Sequence, residues 1–241
     1  MAKCNKILPL ILSNLFFYLV TPKFSYSQND KISDAALWSG IQINQNLPGK
    51  WVLSYEYQSR FTRNISFHRG HFQFLSLTWK PLEYFNATLE YRNVLAFDGN
   101  TNRLGLELNL KKKWGRFQII KRTAIQRDYY YLNLDQQPSG FPTDFWRERI
   151  LFRYELSSRW KCIFSVESFF TVMPQITFRR LRTQTGVSFD ATKKMTFSGI
   201  WLYQEEFNIP NPDITHAWVL GASIDLPNWW KKKKKDKQKA P

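Results

Sequence analysis

Residues 144–172 read Asp-Phe-Trp-Arg-Glu-Arg-Ile-Leu-Phe-Arg-Tyr-Glu-Leu-Ser-Ser-Arg-Trp-Lys-Cys-Ile-Phe-Ser-Val-Glu-Ser-Phe-Phe-Thr-Val, and their alternation decides the fold. Trp146, Glu148, Ile150, Phe152, Tyr154 and Leu156 fall on one face, mostly apolar, while Arg147, Arg149, Arg153 and Glu155 fall on the other. After Ser157-Ser158-Arg159 the period of two resumes, with Trp160, Cys162, Phe164, Val166, Phe170 and Val172 opposed to Lys161, Ser165, Glu167 and Thr171. A period of two is the signature of a strand with two unlike faces. At about 3.3 Å per residue each run spans roughly 35–40 Å, longer than an average globular strand and suited to a tilted membrane-crossing one.

The same unit recurs outward from this hairpin. Strands are predicted at 36–47, 51–61, 71–80, 84–97, 101–112, 116–130, 144–156, 160–172, 178–189, 194–206 and 214–226. Apolar faces are clearest at Trp51, Leu53, Tyr55 and Tyr57, at Phe85, Ala87, Leu89 and Tyr91, at Leu104, Leu106, Leu108 and Leu110, at Phe197, Trp201 and Tyr203, and at Trp218, Leu220, Ala222 and Ile224. The parity is ambiguous in 116–130, where Lys121 and Arg127 share a face with Phe117, Ile119 and Ile125. Tryptophans gather near strand ends (Trp51, Trp79, Trp114, Trp146, Trp160), as rings in two membrane interfaces would. Beyond the N-terminal segment, no window offers about 18 uninterrupted apolar residues, which excludes a helical span.

Connections divide into two sets. Short ones lie at 47–50, 80–83, 113–115, 157–159 and 190–193; those between them, at 62–70, 98–100, 131–143, 173–177 and 208–213, are longer or richer in loop formers. Short periplasmic turns and longer outward loops characterise outer-membrane barrels. The predicted fold is therefore all-β, an antiparallel up-and-down transmembrane barrel of ten to twelve strands. Antiparallel closure needs an even number and eleven segments are countable, so twelve is preferred, with the fault sought near Trp38-Ser39-Gly40.

Residues 1–27 have the form of a cleaved export signal: Lys3 and Lys6, an apolar run 7–20, and small Ser25 and Ser27. Residues 28–230 make one barrel domain in the outer membrane, and 231–241 a disordered tail with seven lysines. The formal charge of +16 invites a nucleic-acid reading. Basic and aromatic residues alternate on opposite faces rather than sharing one, which argues against it. Cys162 is the one cysteine left after cleavage, so neither a disulfide nor a cysteine zinc site is expected.

Leu37-Trp38-Ser39-Gly40, Trp51-Val52-Leu53-Ser54-Tyr55-Glu56-Tyr57, Leu89-Glu90-Tyr91-Arg92 and the run from Arg147-Glu148-Arg149 to Arg153-Tyr154 resemble the Bacteroidetes-type family catalogued as domain of unknown function 2490. The resemblance implies an exported, outer-membrane β-barrel without an established activity. It carries no catalytic residues, and the lysine tail is foreign to it.

The polar faces supply the candidate site: a lumen-lining network of Glu56, Arg60, Glu90, Arg92, Glu107, Arg122, Arg147, Arg149, Arg153, Glu155, Glu167, Arg180, Arg182 and Glu206, with Gln58, Gln126, Asp128, Lys161, Gln184 and Gln204 beside them. Two readings compete. Paired across the lumen, these side chains plug a narrow barrel of structural role; with arginine in excess, they favour anionic small solutes in a narrow pore. Plugging is the preferred of the two. Partners are thus outer-membrane lipid and anionic solutes, with no cofactor or metal called for by any phosphate loop, nucleophile elbow or metalloprotease motif. An outer-leaflet lipid-modifying enzyme is an alternative, using His68, His71 or His216 with a rim serine such as Ser66. A soluble periplasmic lipid carrier is another, and would turn its apolar faces inward.

Overall fold

A computed structural model describes residues 32–97, 99–130, 143–172, 174–209 and 212–228. The expected export signal 1–27, the expected tail 231–241 and most of the 131–143 connection lie outside the described residues.

Eleven strands close into a barrel: β1 (Ile32–Leu47), β2 (Trp51–Thr62), β3 (Phe67–Leu82), β4 (Phe85–Ala96), β5 (Gly99–Trp114), β6 (Phe117–Tyr129), β7 (Thr143–Glu155), β8 (Trp160–Thr171), β9 (Thr177–Thr192), β10 (Met195–Glu206) and β11 (Asp213–Asp225). Neighbours in sequence pair antiparallel, and β1 pairs β11 in parallel from Ile32↔Asp213 to Asn44↔Asp225. This corrects two expectations. The preferred count of twelve gives way to eleven among the described residues, and the barrel is not antiparallel throughout. An even number is required only if first and last strands run opposite ways; a parallel seam lifts that requirement. The suspected fault near Trp38 is absent, since the pairings of β1 with β2 and β11 run without a register shift.

Parallel pairing is slightly weaker per residue than antiparallel, and side chains reinforce the seam. At its lower end Asn44 Nδ2 donates to Ser223 Oγ at 3.0 Å and to Asp225 Oδ1 at 2.9 Å. Toward its upper end Ala36, Leu202 and Ala217 are fully buried on the lumen side, packed by Trp38 and Val219. Closure removes the free edge that an open sheet would leave, so the backbone polar groups of all eleven strands find partners within the wall.

The connections define two ends. At the turn end lie the 3-10 turn Pro48–Lys50 and the short links 83–84, 115–116, 156–159 and 193–194; at the loop end lie 63–66, 97–98, 130–142, 172–176 and 207–212. β3 begins at Phe67, so the expected 62–70 loop shrinks to residues 63–66. Its composition of Asn64, Ser66 and Gly70 suggested a longer loop. The strand instead continues through a register shift at Arg60/Phe61, made possible by Gly70, where a Cβ would stand 2.3 Å from the Leu95 carbonyl oxygen. The chain enters β1 at the loop end and leaves β11 at the turn end.

The apolar faces point outward. Leu89, Leu104, Leu106, Leu108, Leu110, Trp218 and Leu220 are all exposed on the outer wall, whereas the alternate residues face the lumen. Ring pairs mark the turn end, with centroids 6.1 Å apart for the stacked Trp51–Trp79, 6.3 Å for the stacked Trp114–Phe117 and 4.7 Å for the tilted Trp160–Phe189. The ambiguous β6 keeps its parity. Lys121 faces outward 3.7 Å from Glu148, which accepts from Thr123 Oγ1 at 2.9 Å and Trp146 Nε1 at 2.8 Å, and Arg127 meets Asp144 in a bidentate pair. No helix among the described residues is long and apolar enough to cross a membrane, a statement that does not bear on strands.

Candidate functional site: an arginine-lined lumen

Because successive residues on a strand alternate faces, every second residue of these strands enters the lumen, and the register decides which charges meet. Arg122, Arg149, Glu167, Arg182 and Gln204 are consecutive cross-strand partners from β6 to β10. Glu167, 2% exposed, is the hub of this row. It accepts from Arg122 Nη2 at 2.5 Å and Arg147 Nη2 at 2.7 Å, and lies 3.5 Å from Arg182 Nη1. Arg122 also donates to Glu107 at 2.9 Å, carrying the band onto β5. Charge-assisted forks of this kind fix side chains firmly.

On the turn side of this band the lumen holds mainly uncharged side chains, with Arg153, Lys161 and Asp190 nearer the turns. Ser54, Asn86, Thr88, Leu151, Ser165 and Ser188 are buried, joined by bonds such as Asn109 Nδ2→Asn86 Oδ1 at 2.9 Å and Ser165 Oγ→Gln184 Oε1 at 3.0 Å. On the loop side lies a cavity of about 520 Å³, bordered toward the loops by Arg69, Ala96 and Gly99 and toward the band by Glu107, Arg122 and Gln184. Eight arginines line it (60, 69, 92, 103, 122, 147, 180 and 182) against five carboxylates (Glu56, Glu90, Glu107, Asp128 and Glu206).

On three strands the charges are ordered along the axis, while Asp128 and Glu206 stand at the loop end of β6 and β10. On β2, β4 and β5 the arginine stands on the loop side of the carboxylate: Arg60 above Glu56, Arg92 above Glu90, Arg103 above Glu107. Some arginines are neutralised locally, Arg103 by a bidentate grip on Asp128 and Arg180 by Glu206 at 2.5 Å. Others are not. Arg92 is 3.9 Å from Asp128, and its Nε, like those of Arg122, Arg149, Arg153 and Arg180, is buried without a hydrogen bond. Arg60 makes no ion pair within 4.0 Å among the described residues; both its Nε and Nη2 donate to Gln58 Oε1, at 3.1 and 2.8 Å.

Ten of the fourteen residues singled out from the sequence line this one cavity: Glu56, Arg60, Glu90, Arg92, Glu107, Arg122, Arg147, Arg180, Arg182 and Glu206. Glu167, the hub of the band, is not part of its lining, and Arg149 is the cross-strand partner of Glu167. Arg153, bonded to Gln118 at 3.1 Å, and Glu155, paired with Lys113 at 2.8 Å, belong to the turn end and stand apart. Arg69, Arg103 and Trp38 were missed. Arg103 shares the parity of Glu107, a signal masked by the leucines of β5; Trp38 carried none beyond its parity in β1.

Among the rim residues, Ser59 rather than Ser66 is the serine that meets a histidine. Ser66 Oγ donates to the Arg63 carbonyl within its own turn. Ser59 Oγ lies 2.9 Å from His68 Nε2, while His71 Nδ1 is 2.5 Å from the Tyr57 hydroxyl, and no carboxylate bonds either ring among the described residues. His216 packs on Trp201 and Tyr203, with centroids 5.9 and 5.3 Å away. Among the described residues no group of three or more His, Cys, Asp or Glu side chains could hold a metal ion.

The family model described as a protein of unknown function, DUF2490, matches residues 35–215, from the seam strand β1 to the start of β11. The chain belongs to this family. The match takes in every strand from β2 to β10, and with them the Glu167 band. No curated protein matches this DUF2490 chain. Among solved structures it is similar in fold to one titled as the NanC porin in a rhombohedral crystal form, with a TM-score of 0.53 at 11% identity, covering 80% of this chain and 99% of that one.

Proposed function

We propose that this DUF2490 protein is a porin-like barrel of the outer membrane that takes small anionic solutes into its loop-side vestibule, with the Glu167 band as the constriction that limits passage. The carrying observation is the order of charge on β2 and β4, where a solute entering from the loop end meets Arg60 and Arg92 before Glu56 and Glu90, while Asp128 and Glu206 at that end are taken up by Arg103 and Arg180. A low-dielectric wall focuses such a field and raises the local concentration of counter-ions. Fixed rings of arginine select anions in pores by the same means. The exposed apolar outer wall, the stacked rings at the turn end and the likeness to a porin fold support the membrane location.

The packed turn-side half makes the conduit a narrow, gated one rather than an open channel. Passage requires Arg122, Arg147 or Arg182 to release Glu167 for the anion. In planar bilayers with a potassium chloride gradient, purified protein is expected to give small, infrequent openings whose reversal potential has the sign of chloride selectivity. Cation selectivity would overturn the proposal, and a folded barrel that never conducts would leave it a structural one.

A further inference from the structure

Four of the eight vestibule arginines, 103, 122, 147 and 180, hydrogen-bond to carboxylates, which cancel their charge. Arg60 and Arg182 are held another way. Arg182 directs Nε and Nη2 at Gln204 Oε1, at 3.1 and 2.7 Å, as Arg60 does at Gln58. A glutamine oxygen fixes the plane of a guanidinium without neutralising it. Arg182 has a share of Glu167 as well, at 3.5 Å from Oε2, while Arg122 and Arg147 hold Oε1 more closely.

Both cations converge on one ring. Arg60, cross-strand from Trp38, places Cζ 4.0 Å from the indole centroid and 3.8 Å from that of Phe72, so that it is clamped between two aromatic faces. The Arg182 Cζ stands 5.7 Å from the same indole and 4.9 Å from Phe169. Stacking holds a guanidinium rigid while leaving edge N–H groups free to donate. Trp38 is itself immobilised against the buried Ala36, Leu202 and Ala217 of the seam. All three side chains line the vestibule.

We propose that Arg60, Arg182 and Trp38 form a binding subsite for a small oxyanion, a carboxylate or a phosphate, on the vestibule wall. Planar forks match planar or tetrahedral oxyanions better than a halide. Pre-orientation by Gln58 and Gln204 lowers the ordering cost of binding. The subsite rests on the conduit reading for its access to water from the loop end, but its signature is occupancy rather than current.

The test uses the full chain folded in detergent micelles and carrying 5-fluorotryptophan, with the Trp38 fluorine resonance assigned through Trp38→Phe. Titration with inorganic phosphate, and separately with acetate, is expected to shift that resonance saturably, the stronger response naming the preferred oxyanion; chloride at equal ionic strength leaves it in place. Arg60→Gln is expected to weaken the response about tenfold, in line with loss of a charged hydrogen bond. Arg182→Gln provides the second arm should the first fail to fold, which heat-modifiable gel mobility reports. No saturable shift in the folded wild-type protein, or an unchanged one in a folded variant, would overturn the subsite. Anion-selective current without saturable binding sinks the subsite alone, and binding to a barrel that is silent in bilayers sinks the conduit alone.

Discussion

Glu167→Ala is expected to lower the stability of the folded barrel by about 3–5 kcal/mol, the usual cost of breaking a buried ion pair from one side. The carboxylate is 2% exposed and is approached by Arg122, Arg147 and Arg182 at 2.5, 2.7 and 3.5 Å. Removing it leaves three guanidinium groups converging on a small apolar void, with Glu107 as the remaining counter-charge for Arg122. Urea unfolding in detergent, followed by circular dichroism and gel mobility, measures the loss. Glu167→Gln keeps the shape and part of the hydrogen bonding, and should fall between Ala and wild type. In a double variant, Glu167→Leu with Arg147→Met, part of the loss should return, because the second change removes one of the stranded charges. An unfolding midpoint for Glu167→Ala equal to that of wild type would mean that the band is hydrated and interchangeable, and that it closes nothing.

Leu106→Arg has the next largest expected effect. Leu106 is at the middle of β5, 49% exposed on the outer wall, between Leu89 and Ile125 as cross-strand neighbours. In lipid an arginine at the bilayer midplane of a barrel costs about 2–4 kcal/mol, falling to about 0–1 kcal/mol near the interface. Leu110→Arg, four residues nearer the turn-end ring of Trp114, is therefore expected to cost less. Folding yield into phospholipid vesicles and urea titration of the folded fraction read both. A barrel whose outer wall met water would register neither substitution at an exposed position, so equal stability of the two variants and the wild type would remove the membrane assignment.

The parity of the wall was legible in the sequence because a strand allows only two faces, and the leucines concentrate on one of them. Even β6 obeyed it. Lys121 and Arg127 blurred the pattern, yet both lie outward because Glu148 and Asp144 on β7 pair with them across the ladder. That compensation depends on register, which a strand read alone does not display. The parallel seam was hidden for the same reason: Leu37, Ile41 and Ile43 fall on the outer face of β1 whichever way it runs beside β11, so alternation is blind to direction. Cross-strand register also decides which arginines are neutralised. Arg103 lies opposite Asp128 and is gripped by it; Arg60 lies opposite Trp38 and is steered by the neutral Gln58. From sequence the two look alike, an arginine on the polar face of a strand, and only the fold separates a structural pair from a cation left available to a ligand.

Nitroxide scanning of residues 103–110 in the barrel reconstituted into phospholipid bilayers tests the account most directly. Collision with oxygen, concentrated in lipid, should peak at 104, 106, 108 and 110, while collision with a polar nickel chelate should peak at 103, 105, 107 and 109, in a period of two. The opposite phase, with the even positions reached by the chelate and the odd ones by oxygen, would place the leucines inside and contradict the outward-facing wall on which the arginine-lined lumen depends.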